Sequence, residues 1–214
     1  MINRPLNNVT ARIDRLPRDA RGYPVPKFVH WKDGVPDFRI IDPNHMAKCI
    51  KRNACWICGD PMGTHKAFVI GPMCCINRIS AEPPSHRDCA IFAATNCPFL
   101  TTPTARRNER GLPENKFVAG TMIERNPGVT ALWMTRSYQL MHATRGVLFI
   151  IGEPDSVEFY ARGRTATRAE IEESVTSGYP LLIEEAKRDG WAAIDELARM
   201  RRRFDNLLDE AVPS

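Results

Sequence analysis

An α+β fold is what this 214-residue sequence predicts: a small cysteine-rich lobe set on an antiparallel sheet, with helices gathered towards the C-terminus. Three observations carry the prediction. The pairs Cys55-Trp-Ile-Cys58 and His86-Arg-Asp-Cys89 stand 27 residues apart. Short apolar runs bounded by Gly and Pro recur between about residues 67 and 161, as strands do. The segment 191–209 instead repeats its apolar residues at helical spacing.

Residues 1–44 form the first unit, rich in Pro, Arg, Asp and Gly. Tyr23, Phe28, Trp31 and Phe38 are too many aromatics for a disordered tail, so an extended arm packed on the body is expected, with strand-like residues 37–41. Pro24 and Pro26 keep this arm out of helix. Pro43-Asn44 opens a short helix over 44–52 that carries Met46 and Ile50 inward. The second unit, 45–103, contains the ligand pairs. Ala67–Ile70 reads as a strand, Gly71-Pro72-Met73 as a turn and Cys75–Ile79 as the returning strand. Ser85 followed by Asp88 resembles a capping box and starts a helix over 86–96, which Cys97-Pro98 ends.

The third unit, 104–214, begins with a polar loop over 104–115. Strands are expected over 116–125, 128–136, 147–151 and 157–161, with turns at Asn126-Pro127-Gly128 and Arg145-Gly146, giving an antiparallel meander. Thr167 and Glu170 make a second capping box for a helix over 168–176. Gly178 and Pro180 are expected to break it, leaving a further short helix over 181–188. The last helix, 191–209, places Trp191, Ile194, Leu197, Met200, Phe204 and Leu208 on one face.

Composition narrows the function classes. Hydrophobic residues at 43% and charged residues at 26% are ordinary for a globular protein. No apolar run approaches the roughly 20 residues that span a bilayer, and the N-terminus lacks an apolar signal core. A cytoplasmic protein without membrane contact is therefore expected. Seven cysteines, all between 49 and 97, are odd in number and clustered, which points to metal before disulfides. The net charge of +5 is unevenly shared. Residues 1–110 hold 17 Lys/Arg against 9 Asp/Glu, a net +8, and residues 111–214 carry a net −3. A basic, metal-bearing half can face nucleic acid or another polyanion.

The expected ligands are Cys55, Cys58, His86 and Cys89, and the expected cofactor is zinc, with an iron–sulfur cluster as the alternative. A CxxC turn offers two thiolates, and HxxC at a helix start offers an imidazole and a thiolate from one face. Cys74, Cys75 or Cys97 in place of His86 is the competing set. Four protein ligands close a site, which makes the metal structural, since catalytic zinc keeps a position open for water. Knuckle, β-hairpin, then a helix that supplies the last ligands is the order of a treble-clef zinc finger, here carried by about 40 residues.

An enzymatic reading also starts from this element. HNH-type nucleases embed their site in a treble-clef-like unit, and His65 would be the general base with Asn77 orienting it. That pattern also wants a metal-binding helix residue, yet His86 already serves the zinc, and Thr64 precedes His65 where an acidic residue belongs. A Cys74-Cys75 nucleophile beside His65 lacks a third, orienting group. A zinc-deaminase signature is absent. Anion-binding candidates are Arg78, near Glu82, and Arg162, Arg164 and Arg168 around a helix start.

The blocks CWICG (55–59), FVIGPMCCINR (68–78), EPPSHRDCA (82–90), CPFL (97–100) and RNPGVTALW (125–133) extend the pattern along the chain. With RGYPVPKFV (21–29) and GRTATRAE (163–170), the sequence resembles a family of uncharacterised bacterial and phage proteins over roughly residues 15–180. The resemblance implies a cytosolic protein of bacterial or phage origin and brings no activity with it. The function expected is that of a zinc-stabilised binding or regulatory protein, phage-encoded, acting on nucleic acid or on a host nucleic-acid-processing partner. A metal-dependent nuclease and a protein–protein adaptor docking through the last helix are the alternatives.

Overall fold

The computed structural model describes residues 5–105, 126–143 and 146–213. The strand expected over 116–125 lies outside these residues, as does most of the loop over 104–115. The architecture is α+β, with antiparallel sheets and C-terminal helices. Its centre is a sheet in the order β3 (Lys66–Ile70), β5 (Thr130–Thr135), β8 (Pro154–Ala161), β9 (Arg164–Thr165).

Both faces of its central strand β5 are covered, so all six of its residues are buried, and the two-residue alternation sorts side chains between two cores. Phe68, Ile70, Ala131, Trp133, Phe159 and Ala161 face the larger core with α3 (Pro72–Asn77), α6 (Arg168–Arg188) and α7 (Trp191–Ala211). Ala67, Leu132 and Met134 point the other way, onto Ala90 and Ala94 of α4 (Arg87–Asn96). The helix that carries Cys89 is thereby seated on the central sheet through small alanines.

The N-terminal segment is more ordered than an extended arm. It contains α1 (Ala11–Asp14), a hairpin of β1 (Val29–Lys32) with β2 (Val35–Ile41), and α2 (Pro43–Arg52). Asp42 caps α2 by accepting the Asn44 N–H at 2.9 Å. The fully buried side of α2 is His45 and Cys49, while Met46 and Ile50 are only partly buried. After α4 comes α5 (Pro98–Thr101).

Four expectations need correction. Residues 72–77 are helix α3, not the returning strand of a hairpin. Pro72 supplies a preset φ at the first position, Cys75 N–H bonds the Gly71 carbonyl at 3.1 Å, and Met73, Cys75 and Ile76 bury against the larger core. The hairpin contracts to one bridge, Ala67 with Ser85, whose two backbone hydrogen bonds are each 2.8 Å.

Secondly, the strands do not form a simple meander. β6 (Tyr138–Ala143) and β7 (Gly146–Ile151) leave the central sheet and join β4 (Ile79–Ser80) in a three-stranded sheet, while β5 pairs with β8. The chain departs at Ser137 and returns at Gly152, whose N–H bonds the Ser137 carbonyl at 3.0 Å. A Cβ at Gly152 would stand 2.7 Å from that carbonyl oxygen, so only glycine fits the crossing.

Thirdly, α6 runs unbroken through Gly178 and Pro180, opened by the Thr167–Glu170 capping box as expected. Its buried stripe of Ile171, Val175 and Leu182 outweighs the local costs of about 3 kcal/mol for proline and about 1 kcal/mol for glycine. Finally, Trp191 is 84% exposed rather than packed. It stands at the first position of α7, after the exposed charged residues 187–189, while Leu197, Phe204 and Leu208 carry the buried stripe.

Candidate metal centre

Cys55 and Cys58 come from a tight turn closed by the Ala54–Pro61 bridge. Cys55 N–H bonds the Asp60 carbonyl at 2.8 Å, and Gly59 N–H bonds the Cys55 carbonyl at 2.9 Å. Gly59 adopts φ +82°, the left-handed conformation that glycine reaches without strain. His86 is the N-cap of α4, with ψ 150°, rather than its first helical residue. The extended backbone follows from the Ser85–Ala67 bridge, so Ser85 does not cap the helix as its sequence suggests. Cys89 then falls at the third helical position, and its thiol meets the other donors.

The four donor atoms lie within 4.8 Å of one another, and among the described residues this is the one such cluster. Cys55 and Cys89 are fully buried and Cys58 is 6% exposed. Cys58 Sγ stands 3.4 Å from His86 Nδ1. In a tetrahedral zinc site with ordinary bond lengths, a sulfur–nitrogen edge is about 3.6 Å. The His86 ring is oriented from behind: Nε2 lies 3.1 Å from the Pro61 carbonyl, which can only accept. Nε2 is thereby placed to carry a proton, which leaves Nδ1 to present its lone pair to a metal, the arrangement of a metal-ligating histidine. Two backbone donors, Cys58 N–H at 3.5 Å and His86 N–H at 3.4 Å, point at Cys55 Sγ and favour its thiolate form.

Electrostatics agree with this geometry. Hydrogen bonds from Cys58 and Cys89 hold the Cys55 thiol far below its ordinary range, and burial opposes them without winning. Cys58 is pushed up to about 11, first by its hydrogen bond to Cys55. Cys89 is driven well above the usual range by Cys55, Cys58 and burial in that order. Crowding thus opposes ionisation of the three thiols together; a divalent cation in their midst would let all three ionise. The donor set fits such an ion.

The surroundings tie this centre to the rest of the N-terminal half. Arg12 of α1 bonds Asp88 at 2.8 Å, and Arg15 bonds Asp60 at 2.7 Å. Ile13, Leu16, Ile57, Met62 and Phe92 pack around the cysteines. The Trp56 indole, between the two knuckle ligands in sequence, stacks on Phe28 at 4.9 Å and on His45 at 5.6 Å. Neither Phe28 nor His45 was marked by spacing; the aromatic at the centre of CWIC was the available signal.

The other sequence candidates have different settings. Cys75 is buried in the larger core, Cys74 packs against it, and Cys97 caps the end of α4. His65 is a 60% exposed side chain, 4.0 Å from Asp155. The Asn77 side chain accepts the Ile79 N–H at 3.0 Å in the turn after α3. Arg78 stacks over Trp133 at 4.5 Å and bonds the Gly152 carbonyl at 3.2 Å and Glu153 at 2.8 Å. Arg164 grips Glu170 through two nitrogens at 2.8 Å, Arg162 stands 3.8 Å from the same carboxylate, and Arg168 bonds Glu172 and Asp209. These four arginines are held by carboxylates, which lowers the charge they offer an anion.

Fold and site together define an α+β protein with a treble-clef-like lobe built on a buried Cys/Cys/His/Cys cluster suited to metal. Comparison of the chain with protein-family models, curated proteins and solved structures finds no match. No helix among the described residues is long and apolar enough to cross a membrane.

Proposed function

We propose that the chain is a zinc-stabilised nucleic-acid-binding protein whose metal is structural. The observation that carries this reading is the closed four-donor cluster, three thiols and one oriented imidazole, buried within the half of the chain that has a net charge of +8. When bound, zinc would supply a fixed tetrahedral crosslink between the knuckle and the start of α4, with no coordination position left for substrate. Cys55, Cys58, His86 and Cys89 hold it, Pro61 orients the imidazole, and Arg12 and Arg15 brace the acidic residues beside it.

That closure supports a binding role over a catalytic one, as does the engagement of the Asn77 side chain in the turn after α3. Phosphate recognition by lysine and arginine is sequence-tolerant and steeply salt-dependent. The test is elemental analysis of purified protein, followed by titration against labelled mixed-sequence DNA and RNA at several salt concentrations. About one zinc per chain with salt-sensitive binding is expected. Metal-free folded protein, or no affinity for any nucleic acid, would overturn the reading. Mg²⁺- or Mn²⁺-dependent cleavage that disappears in His65→Ala would replace it with the nuclease.

A further inference from the structure

The cations of the N-terminal half are not equivalent. Between residues 5 and 105, Arg12, Arg15, Arg18, Arg21, Arg39, Arg78 and Arg87 all make ion pairs, and Lys66 bonds backbone carbonyls. Among the described residues the exceptions there are Lys27, Lys32, Lys48, Lys51 and Arg52, all exposed. All five fall within residues 27–52, the segment of hairpin β1–β2 and helix α2. The carboxylates of the same segment are largely engaged: Asp37 holds Arg39 and Asp42 caps α2, leaving Asp33 at the hairpin turn.

This segment also exposes aromatic surface. Trp31, beside Lys32 in β1, is 40% exposed, and Phe38 in β2 is 37% exposed. Phe38 meets Tyr23 edge-on at 6.1 Å, and Arg21 lies over its ring at 6.0 Å. On α2, Lys48 and Arg52 are one helical turn apart, about 6 Å along the axis, with Lys51 between them on the exposed side. Cations at the end of a helix complement its dipole, and that alone would account for their place on α2. It does not account for Lys27, Lys32 or the open indole.

Hairpin and helix are clamped to the metal knuckle. Lys27 N–H bonds the Ile57 carbonyl at 2.8 Å, Phe28 at the root of the hairpin stacks on Trp56, and His45 of α2 stacks on the same indole while its Nε2 lies 3.0 Å from the Trp56 carbonyl. The Trp56 indole, between two of the cluster's cysteines, is thus in contact with both cation-bearing elements.

Resting on the nucleic-acid reading above, we infer that residues 27–52 form the docking surface and that its ligand is single-stranded nucleic acid. Complementarity points to that ligand: the cations without a carboxylate partner attract a polyanion, and half-exposed aromatic rings take unpaired bases as stacking partners. A duplex offers phosphates but keeps its bases stacked on each other, so it can use the lysines and not Trp31. An acidic protein segment can also use the lysines, and a polyglutamate competitor tests for it.

The test uses the full chain with its metal and a labelled mixed-sequence DNA strand of about 20 nucleotides, long enough to cover one or two typical single-strand sites. Binding is followed by fluorescence anisotropy against salt, beside the matching duplex and with polyglutamate as competitor. The triple variant Lys48→Glu, Lys51→Glu, Arg52→Glu should lose at least tenfold in affinity, with a shallower salt dependence. Trp31→Ala should lose about fivefold or more on the single strand and little on the duplex. Arg202→Glu with Arg203→Glu, on α7, should bind as the parent does. All substitutions are of exposed side chains, and zinc content with circular dichroism verifies the fold of each variant.

If the parent binds no nucleic acid, the general reading fails and this inference with it. If the parent binds while the α2 and Trp31 variants bind equally well, the general reading stands and the assigned surface is wrong. Equal affinity for duplex, or displacement by polyglutamate at matched charge, would overturn the assignment to single strands.

Discussion

Removing the metal ligand Cys89 tests the physical core of this account. Cys89 is fully buried, and its thiol joins donors from a turn more than 30 positions earlier in the chain, so Cys89→Ser opens the crosslink between knuckle and helix. Structural zinc contributes about 10–16 kcal/mol of folding free energy in small zinc domains. The whole stability of an ordinary domain is about 5–15 kcal/mol. Local packing cannot substitute for the metal: truncating Phe92, the largest apolar side chain packed beside the ligands, would cost about 3–5 kcal/mol. The expected outcome is unfolding of the lobe while the larger core of Phe68, Trp133, Phe149 and Phe204 persists. Tryptophan fluorescence reports it, because Trp56 is 3% exposed within the lobe and Trp133 is 1% exposed within the core. A partial red shift, reproduced in the parent by a strong chelator, is expected. Unchanged emission and melting after verified metal loss would refute the claim that metal binding holds the lobe.

Further predictions test particular positions. Gly152→Ala should destabilise by about 1–3 kcal/mol in denaturant melts, because its Cβ would lie 2.5 Å from Ser137 Oγ and 2.7 Å from the Ser137 carbonyl oxygen; an unaltered midpoint would contradict the crossing. Pro180→Ala should stabilise, by up to about 3 kcal/mol, since it restores the missing hydrogen bond in a continuous helix; a lower melting temperature would show that α6 is broken there. Arg164, then the Thr167 N–H, holds the Glu170 carboxyl down at about 2. A depressed carboxylate stabilises the fold above its ordinary value of 4.5, and that contribution fades as pH falls towards 2. Glu170→Gln should therefore flatten the acid limb of melting temperature against pH between those values, and an identical limb would sink the argument.

Features that rest on neighbouring residues were legible before folding. The spacing in Cys55–Cys58 and His86–Cys89 marked all four donors, since a turn and one helical step suffice to aim each pair. Thr167 with Glu170 announced the start of α6, and Pro43 the start of α2. The apolar run 129–134 marked the central strand. Tertiary structure decided everything that depends on a distant partner. Whether residues 72–77 became strand or helix was settled by the core formed with α6 and α7. Sheet order was settled by the pairing of β5 with β8 across the excursion that Gly152 and Ser137 close. The continuity of α6 came from burial that outweighs proline's local cost. Which cations remain open to a ligand also belongs to this second group. Arg78 and Lys48 are both lone cations in sequence, and only folding brings Glu153 and Trp133 to one of them and, among the described residues, no carboxylate to the other. Local spacing encodes what short chain geometry can enforce, whereas pairing and burial are properties of surfaces that exist only once the chain has closed on itself.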